Sequence, residues 1–172
     1  RLQISINGTS RTDTISLSDI LTDLKDCPAR GKFIILDVAP PPAEVPWDTT
    51  PTEIARQIQQ ELQAVPDPPL LLLSAYGPGE RPLTSEHWQR SGLGHYFEQA
   101  LRGRADGASD GKTDGCVTAR ETAMYVQANV ERWASITQGE TQRPVVTGDG
   151  RDFPLVTIAI RDRSILEDTT AT

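Results

Sequence analysis

Lys32-Phe33-Ile34-Ile35-Leu36-Asp37-Val38-Ala39-Pro40-Pro41-Pro42 is an apolar run that ends in a carboxylate and then three prolines. Four successive apolar residues, three of them β-branched or aromatic, suit a strand covered on both faces. Prolines offer no N–H to a ladder, so the strand must stop before them. Asp37 therefore stands at a strand's C-terminal end, where open α/β sheets gather ligands and catalytic groups.

The residues before this strand read as a helix that feeds it. Leu17, Ile20, Leu21 and Leu24 follow helical spacing, Ser16 and Asp19 take the N-cap and N3 positions, and Pro28 and Gly31 close the segment. Earlier still, Leu2, Ile4 and Ile6 alternate with polar residues and run into Asn7-Gly8, a short strand and a turn. After the prolines, Thr50-Pro51-Thr52-Glu53 starts a helix with a hydroxyl cap, Pro at N1 and Glu at N3. Its stripe is Ile54, Ile58, Leu62 and Val65, and Pro66 stops it. Leu70 to Leu73 form a second buried strand that ends in Ser74-Ala75-Tyr76 and the loop Gly77-Pro78-Gly79. Strand, helix and strand make a βαβ unit with a right-handed crossover.

Residues 80 to 90 are polar and irregular apart from Trp88. Leu93, Tyr96, Phe97, Ala100 and Leu101 mark a helical face, with His95 roughly opposite. A Gly/Asp-rich loop follows from Gly103 to Gly115. Thr118-Ala119-Arg120-Glu121 is a capping box, opening a helix that turns Ala119, Ala123, Val126, Val130 and Trp133 inward. A polar linker, Ser135 to Arg143, leads to Pro144-Val145-Val146-Thr147 and Phe153-Pro154-Leu155-Val156, short strands at the sheet's margin. The organisation expected is one domain over residues 1–156 and a charged, Thr-rich tether over 157–172.

A chain of 172 residues and 18.8 kDa can bury roughly 70% of its unfolded surface in one core. Its charge of -7, without a local Lys/Arg cluster, makes nucleic acid and anionic membranes poor partners. No apolar window is long enough to span a bilayer. Cys27 and Cys116 lack CxxC or Cys/His spacing and read as reduced thiols of a cytoplasmic protein. The opening Arg1-Leu2-Gln3, without an initiator Met or signal pattern, reads as the start of a piece cut from something longer.

Several landmarks together resemble the caspase-like peptidase fold, in the bacterial metacaspase-type branch that includes domains of large planctomycete proteins. Lys32 to Asp37 is similar to the family strand that normally ends Leu-Asp-x-Cys-His-Ser-Gly. Leu70 to Ala75 with Gly77-Pro78-Gly79-Glu80 resembles the next strand and its loop. Ser91 to Asp106 resembles the following helix with its Leu-x-Gly-x-Ala-Asp exit. Asp114-Gly115-Cys116-Val117-Thr118-Ala119-Arg120-Glu121 looks like the Asp-Gly-x-Val-Thr-x-x-Glu helix entry, and Gln142-Arg143-Pro144 like the Gln-x-Pro strand. The match spans residues 15 to 156; it lies in the order and spacing of these motifs.

The resemblance implies a three-layer α/β/α sandwich with a mainly parallel sheet, and a Cys thiolate two residues after the strand Asp, assisted by a His from an earlier loop. Here the thiolate's position holds Ala39, which cannot form an acyl-enzyme. Pro40, Pro41 and Pro42 remove backbone N–H groups that could help hold an oxyanion. No His precedes Lys32. The expectation is an inactive pseudo-peptidase that serves as an interaction or regulatory module for a protein or peptide partner. Asp37 corresponds to the metacaspase carboxylate that receives a basic side chain, and Asp37, Trp47, Ser74 and Trp88 are the residues of a relic binding site; the plainer reading of Asp37 is a carboxylate that accepts hydrogen bonds from loop amides at a strand end. An active cysteine endopeptidase whose nucleophile or His lies outside this piece is one alternative. A phospho-receiver is another, with Asp37 as acceptor, Pro41 four positions on and Ser74 at the next strand's end.

Other residues carry weaker signals. Asp110, Asp114 and Glu121 fall at positions 1, 5 and 12 of an EF-hand-like calcium loop, but position 3 is Lys112, and a turn that Thr118 and Glu121 cap is the simpler reading. No other cofactor is implied. His87 and His95 lack a Cys, Ser or carboxylate partner and read as surface histidines. Ser74 lacks a GxSxG context and reads equally as a strand-end hydroxyl. Trp47 and Trp88 either anchor a peptide or pack over the sheet edge.

Overall fold

A computed structural model describes residues 3–7, 12–38, 70–148 and 150–158, together with residues 56 and 60. Along the chain these form β1 (Gln3–Asn7), β2 (Thr12–Ser16), α1 (Leu17–Asp26), β3 (Lys32–Leu36), β4 (Leu70–Ser74), β5 (Thr84–Ser85), β6 (Arg90–Ser91), α2 (Gly92–Gln99), β7 (Cys116–Thr118), α3 (Ala119–Trp133), β8 (Val145–Thr147) and β9 (Pro154–Thr157). Single π turns, Ala100–Arg104 and Ala134–Gln138, extend α2 and α3. The chain is thus a mixture of helix and strand of the α/β kind. Among the described residues no helix is long and apolar enough to cross a membrane.

β4 is the middle of a three-stranded sheet ordered β3-β4-β8. It pairs in parallel with β3, Lys32 opposite Leu70 and Leu36 opposite Ser74, and antiparallel with β8, Leu73 opposite Val146. The βαβ expectation holds at the parallel ladder, whereas the sheet is mixed rather than mainly parallel. Residue 142 explains why. The Gln142 carboxamide donates to Ala75 O, and Arg143 N donates to Glu80, so β8 starts beside the end of β4 and can only run back along it.

Both faces of β4 are covered. Leu70 and Leu72 pack with Leu17 and Leu21 of α1 and with Leu36, while Leu71 packs with Ala119 and Ala123 of α3. Leu73 joins Leu93, Ala100, Val117, Val126 and Val130. Burying each such Leu is worth roughly 2 kcal/mol. β3 is the less buried partner, with Phe33, Ile34 and Ile35 only half-buried, because among the described residues it borders the sheet. The continuous apolar run marks a strand correctly but overstates its burial.

The helices follow their periodicity. Leu17 and Leu21 of α1 are fully buried, and Ala119, Ala123, Val126, Val130 and Trp133 all face inward from α3. Ser16 is the N-cap of α1, yet its hydroxyl bonds Ser18 Oγ at 2.7 Å rather than a helix amide. Lys32, 7% exposed, donates through Nζ to Leu24 O at the C-terminal end of α1, where a cation suits the helix dipole.

Several elements escaped the sequence pattern. Residues 80 to 90 contain the β5–β6 hairpin, Thr84 opposite Ser91, instead of an irregular stretch. β2 pairs with β1, and β7 pairs with β9, Val117 opposite Val156, although neither β2 nor β7 has a long apolar run. The expected linker from Ser135 begins as the π turn that prolongs α3. β9 continues to Thr157, and Ile158 N donates to Gly115 O, so ordered structure passes the expected boundary at 156. The helix expected from Thr50 to Val65 lies outside the described residues save Arg56 and Gln60, which are helical and exposed; the remainder of the tether also lies outside them.

After β8 the chain presses back against the start of β4. A Cβ on Gly148, whose φ is 102°, would collide with the Leu70 carbonyl oxygen. Gly111 also has a positive φ, 77°, but nothing lies within 4 Å of its added Cβ. Gly148→Ala should therefore cost about 3 kcal/mol or more, and Gly111→Ala about 1 kcal/mol, the left-handed penalty alone. Urea denaturation midpoints of the two variants would check the difference, and equal losses would refute the close packing of residue 148.

Candidate functional site

β3 ends at Leu36, so Asp37 is the first residue beyond the ladder and is exposed. Its Oδ2 accepts from the Ser91 hydroxyl, whose oxygen in turn accepts from Gly94 N at 2.9 Å. Ser91 is the N-cap of α2, and a Cβ on Gly94 would lie 3.6 Å from Asp37 Oδ2. A carboxylate here also complements the partial positive charge of a helix start. The elements that place Asp37 are thus the end of a parallel strand and the beginning of a helix 54 residues later.

Tyr76, two residues past β4, lies within range of this carboxylate's charge. It is 3% exposed, and among the described residues its hydroxyl has no hydrogen-bond partner. Burial first, and then the charge of Asp37, push its phenol pKa up. The hydroxyl stays protonated at neutral pH and is an unspent donor in a buried place.

The chain between β4 and β5 is held by side chains. Ala75 N donates to Leu36 O, Ser74 Oγ donates to Tyr76 O at 3.2 Å, and Glu80 Oε2 accepts from Gly77 N and Arg143 N. Gln142, fully buried, accepts from Leu83 N at 3.0 Å and donates to Ala75 O at 2.8 Å. Ser74 is therefore a strand-end hydroxyl turned to its own chain.

Trp88, at the hairpin turn, stacks on His95 with ring centroids 3.6 Å apart and packs edge-on against Tyr96. Leu83, Trp133 and Ala134 complete that cluster. His95 is half-buried rather than a surface residue: Gln99 Nε2 lies 2.6 Å from its Nε2, and the Tyr125 hydroxyl donates to Gln99 Oε1 at 3.1 Å. Burial, then Arg90, with Arg104 and His87 adding, push its pKa down against the opposing Glu98. His87 is exposed.

The Asp/Gly-rich loop is built from carboxylates that accept backbone amides. Asp106 takes Asp114 N and Gly115 N, Asp110 takes Lys112 N, and Asp114 takes Cys116 N. Glu121, 4% exposed, accepts from Gly107 N through Oε1 and from Thr118 N through Oε2. Thr118 and Glu121 form the expected capping box. The Glu that would close a calcium loop thus has both oxygens on amides. Among the described residues no three His, Cys, Asp or Glu are gathered to hold a metal ion. Burial, then Asp114 and Glu121, with Asp106 and Asp152 adding, push the Cys116 thiol pKa up, away from a reactive thiolate.

Of the residues singled out from sequence, Asp37 and Ser74 come together at neighbouring strand ends, and Trp88 goes to α2 and α3. Ala39 and Trp47 lie outside the described residues. Ser91, Tyr76 and Gln142 were missed. Ser91 before Gly92-Leu93-Gly94 is an N-cap signal, but nothing local announces its bond to Asp37. No family model matches the chain, and no curated protein or solved structure matches it.

Ser91→Ala should destabilise the fold by about 1 kcal/mol through the lost cap. Asp is ordinarily as good an N-cap as Ser, but here it would set a second carboxylate against Asp37. Ser91→Asp should therefore be the more damaging change by thermal denaturation at pH 7, and the ranking should reverse in an Asp37→Asn background. An Asp at 91 that matches Ser in the native background would refute the geometry.

Proposed function

We propose that this chain is a catalytically inactive caspase-like module that binds a protein or peptide partner through the end of β3. The observation that carries the reading is Asp37, an exposed carboxylate whose Oδ1 has no partner among the described residues, at the C-terminal edge of a parallel strand pair, while the nucleophile position two residues on holds Ala39. In this reading α1 on one face of the sheet and α2 with α3 on the other are the outer layers of a three-layer α/β/α sandwich. Among the described residues no Lys or Arg pairs with Asp37, which leaves it for a basic side chain of the partner. The cysteines favour the same reading: both are free, Cys27 follows α1, and Cys116 sits among carboxylates that disfavour its thiolate. Free thiols fit a cytoplasmic module.

The phospho-receiver alternative loses support from two features. Its doubly wound sheet is parallel, whereas β8 lies antiparallel beside β4, and Ser74 is turned to Tyr76 O.

Calorimetry with short peptides that differ only in one Arg or Gln should give several-fold tighter binding of the Arg peptide, about 1 kcal/mol for a solvent-screened pair. Asp37→Asn should erase that difference. A peptidyl electrophile incubated with the protein should leave no covalent adduct by mass spectrometry. Labelling of either cysteine, or hydrolysis of an Arg reporter peptide that Cys→Ala changes abolish, would sink the inactive assignment in favour of an active peptidase.

A further inference from the structure

The loop between α2 and β7 repeats one dipeptide three times, as Asp106-Gly107, Asp110-Gly111 and Asp114-Gly115. An Asp-Gly step carries a slow chemistry of its own. The glycine nitrogen attacks the Asp Cγ, an N–Cγ bond forms, and a Cγ–O bond breaks. The oxygen leaves as water with the amide proton and, from a carboxylate, one proton of solvent. Water that returns to the main-chain carbonyl of this succinimide breaks its bond to nitrogen. The chain then runs through Cβ and Cγ as isoaspartate, with the α-carboxylate free and the mass unchanged. Glycine favours the attack, because no Cβ crowds its nitrogen or restricts its φ and ψ. What the step requires is a nitrogen released from its hydrogen bond and able to lose its proton.

The three nitrogens are held unequally. Gly107 N donates to Glu121 Oε1 at 2.7 Å, and Gly115 N donates to Asp106 Oδ2 at 3.0 Å. Both acceptors are carboxylates, which bind an amide roughly twice as strongly as a neutral oxygen does and whose charge opposes removal of its proton. Glu121 is 4% exposed, so this hold on Gly107 is shielded from water. The carboxylate of Asp106 is also drawn to Asp114 N and Gly115 N, away from the glycine that follows it. Gly111 N donates to Gly107 O at 2.8 Å, a neutral carbonyl. Asp110 and Gly111 are both exposed, and nothing lies within 4 Å of a Cβ placed on Gly111, so the backbone there has room to turn. Asp110 Oδ1 accepts from Lys112 N, which keeps the carboxyl group folded over the intervening Gly111 amide.

We propose that Asp110-Gly111 is the step at which this loop forms isoaspartate in the folded chain, and that Glu121 and Asp106 guard the steps on either side by holding Gly107 N and Gly115 N. The α-carboxylate exposed at residue 110 is the group that an S-adenosylmethionine-dependent isoaspartyl carboxyl methyltransferase would esterify.

The chain is incubated at neutral pH, native or in urea, and cut by trypsin after Arg104, Lys112 and Arg120. Electron-transfer fragmentation of peptides 105–112 and 113–120 then locates isoaspartate. In urea the three steps should convert at similar rates. In the native chain Asp110 should convert several-fold faster than Asp106 or Asp114, and Gly111→Ala should slow it several-fold. Isoaspartate from Asn7-Gly8 falls in another peptide and carries the mass gain of deamidation. Glu121→Gln leaves one oxygen for two amides and should open Asp106-Gly107. Asp106→Ala releases Gly115 N and should open Asp114-Gly115; it carries the test if circular dichroism shows Glu121→Gln unfolded. Equal conversion of the three steps in the native chain would overturn the proposal. So would an Asp110 that converts in urea but not in the native chain, or a flanking step that stays closed in a folded variant without its guard.

Discussion

The carboxamide of Gln142 is the contact on which the arrangement of the rest depends. β4 is covered on both faces and both edges, so each amide and carbonyl where it ends needs a partner from the protein itself. Ala75 N finds one in Leu36 O, but Ala75 O and Leu83 N find theirs only in one side chain that enters from residue 142. That single group satisfies the strand end, fixes the entry to the hairpin, and sets where β8 begins. Removing it would leave two buried backbone groups unpaired, each costing about 1–3 kcal/mol. Leu83 O then receives Gly92 N, so the start of α2 is tied to the same frame.

Much of the fold was legible because it rests on local periodicity. The spacing of Leu17 and Leu21, the capping box at Thr118 and Glu121, and the Ala119-to-Trp133 stripe each reflect an interaction within one or two helical turns. The two apolar runs at 32 and 70 were readable as strands that pair in parallel for the same reason. The antiparallel return of β8 was not, since its direction is set by a side chain reaching Ala75, 67 residues away. β7 has three residues and β5 two; at that length pairing comes from the partner strand and no pattern can develop. His95 was misread on similar grounds. Its helical face looks outward on a wheel, and only the hairpin folding back with Trp88 covers it.

Acidic residues do most of the structural work in the loops. Asp106, Glu80, Glu121 and Asp152 each take two backbone amides, and Asp110 and Asp114 cap short turns. Part of the net negative charge is therefore spent on backbone donors that Gly-rich turns leave unpaired. The same placement sets the chemistry of Cys116. Burial first, and then the carboxylates within reach, raise the pKa of its thiol, so this loop is an environment that quiets a cysteine.

Asp37 differs from these carboxylates in how it is held. They stabilise backbone that would otherwise be unsatisfied, whereas Asp37 accepts one side-chain hydroxyl, Ser91, that already had a role at the helix start. A carboxylate kept only for capping α2 would be redundant, because Ser91 reaches Gly94 N alone. Tyr76, whose phenol feels the charge of Asp37, retains a buried hydroxyl without a partner among the described residues, a cost that stable proteins rarely leave unmatched. Among the described residues, an exposed carboxylate oxygen without a partner and a buried hydroxyl with none of its bonds made thus stand at the end of one parallel strand pair, and neither is needed to hold the backbone there.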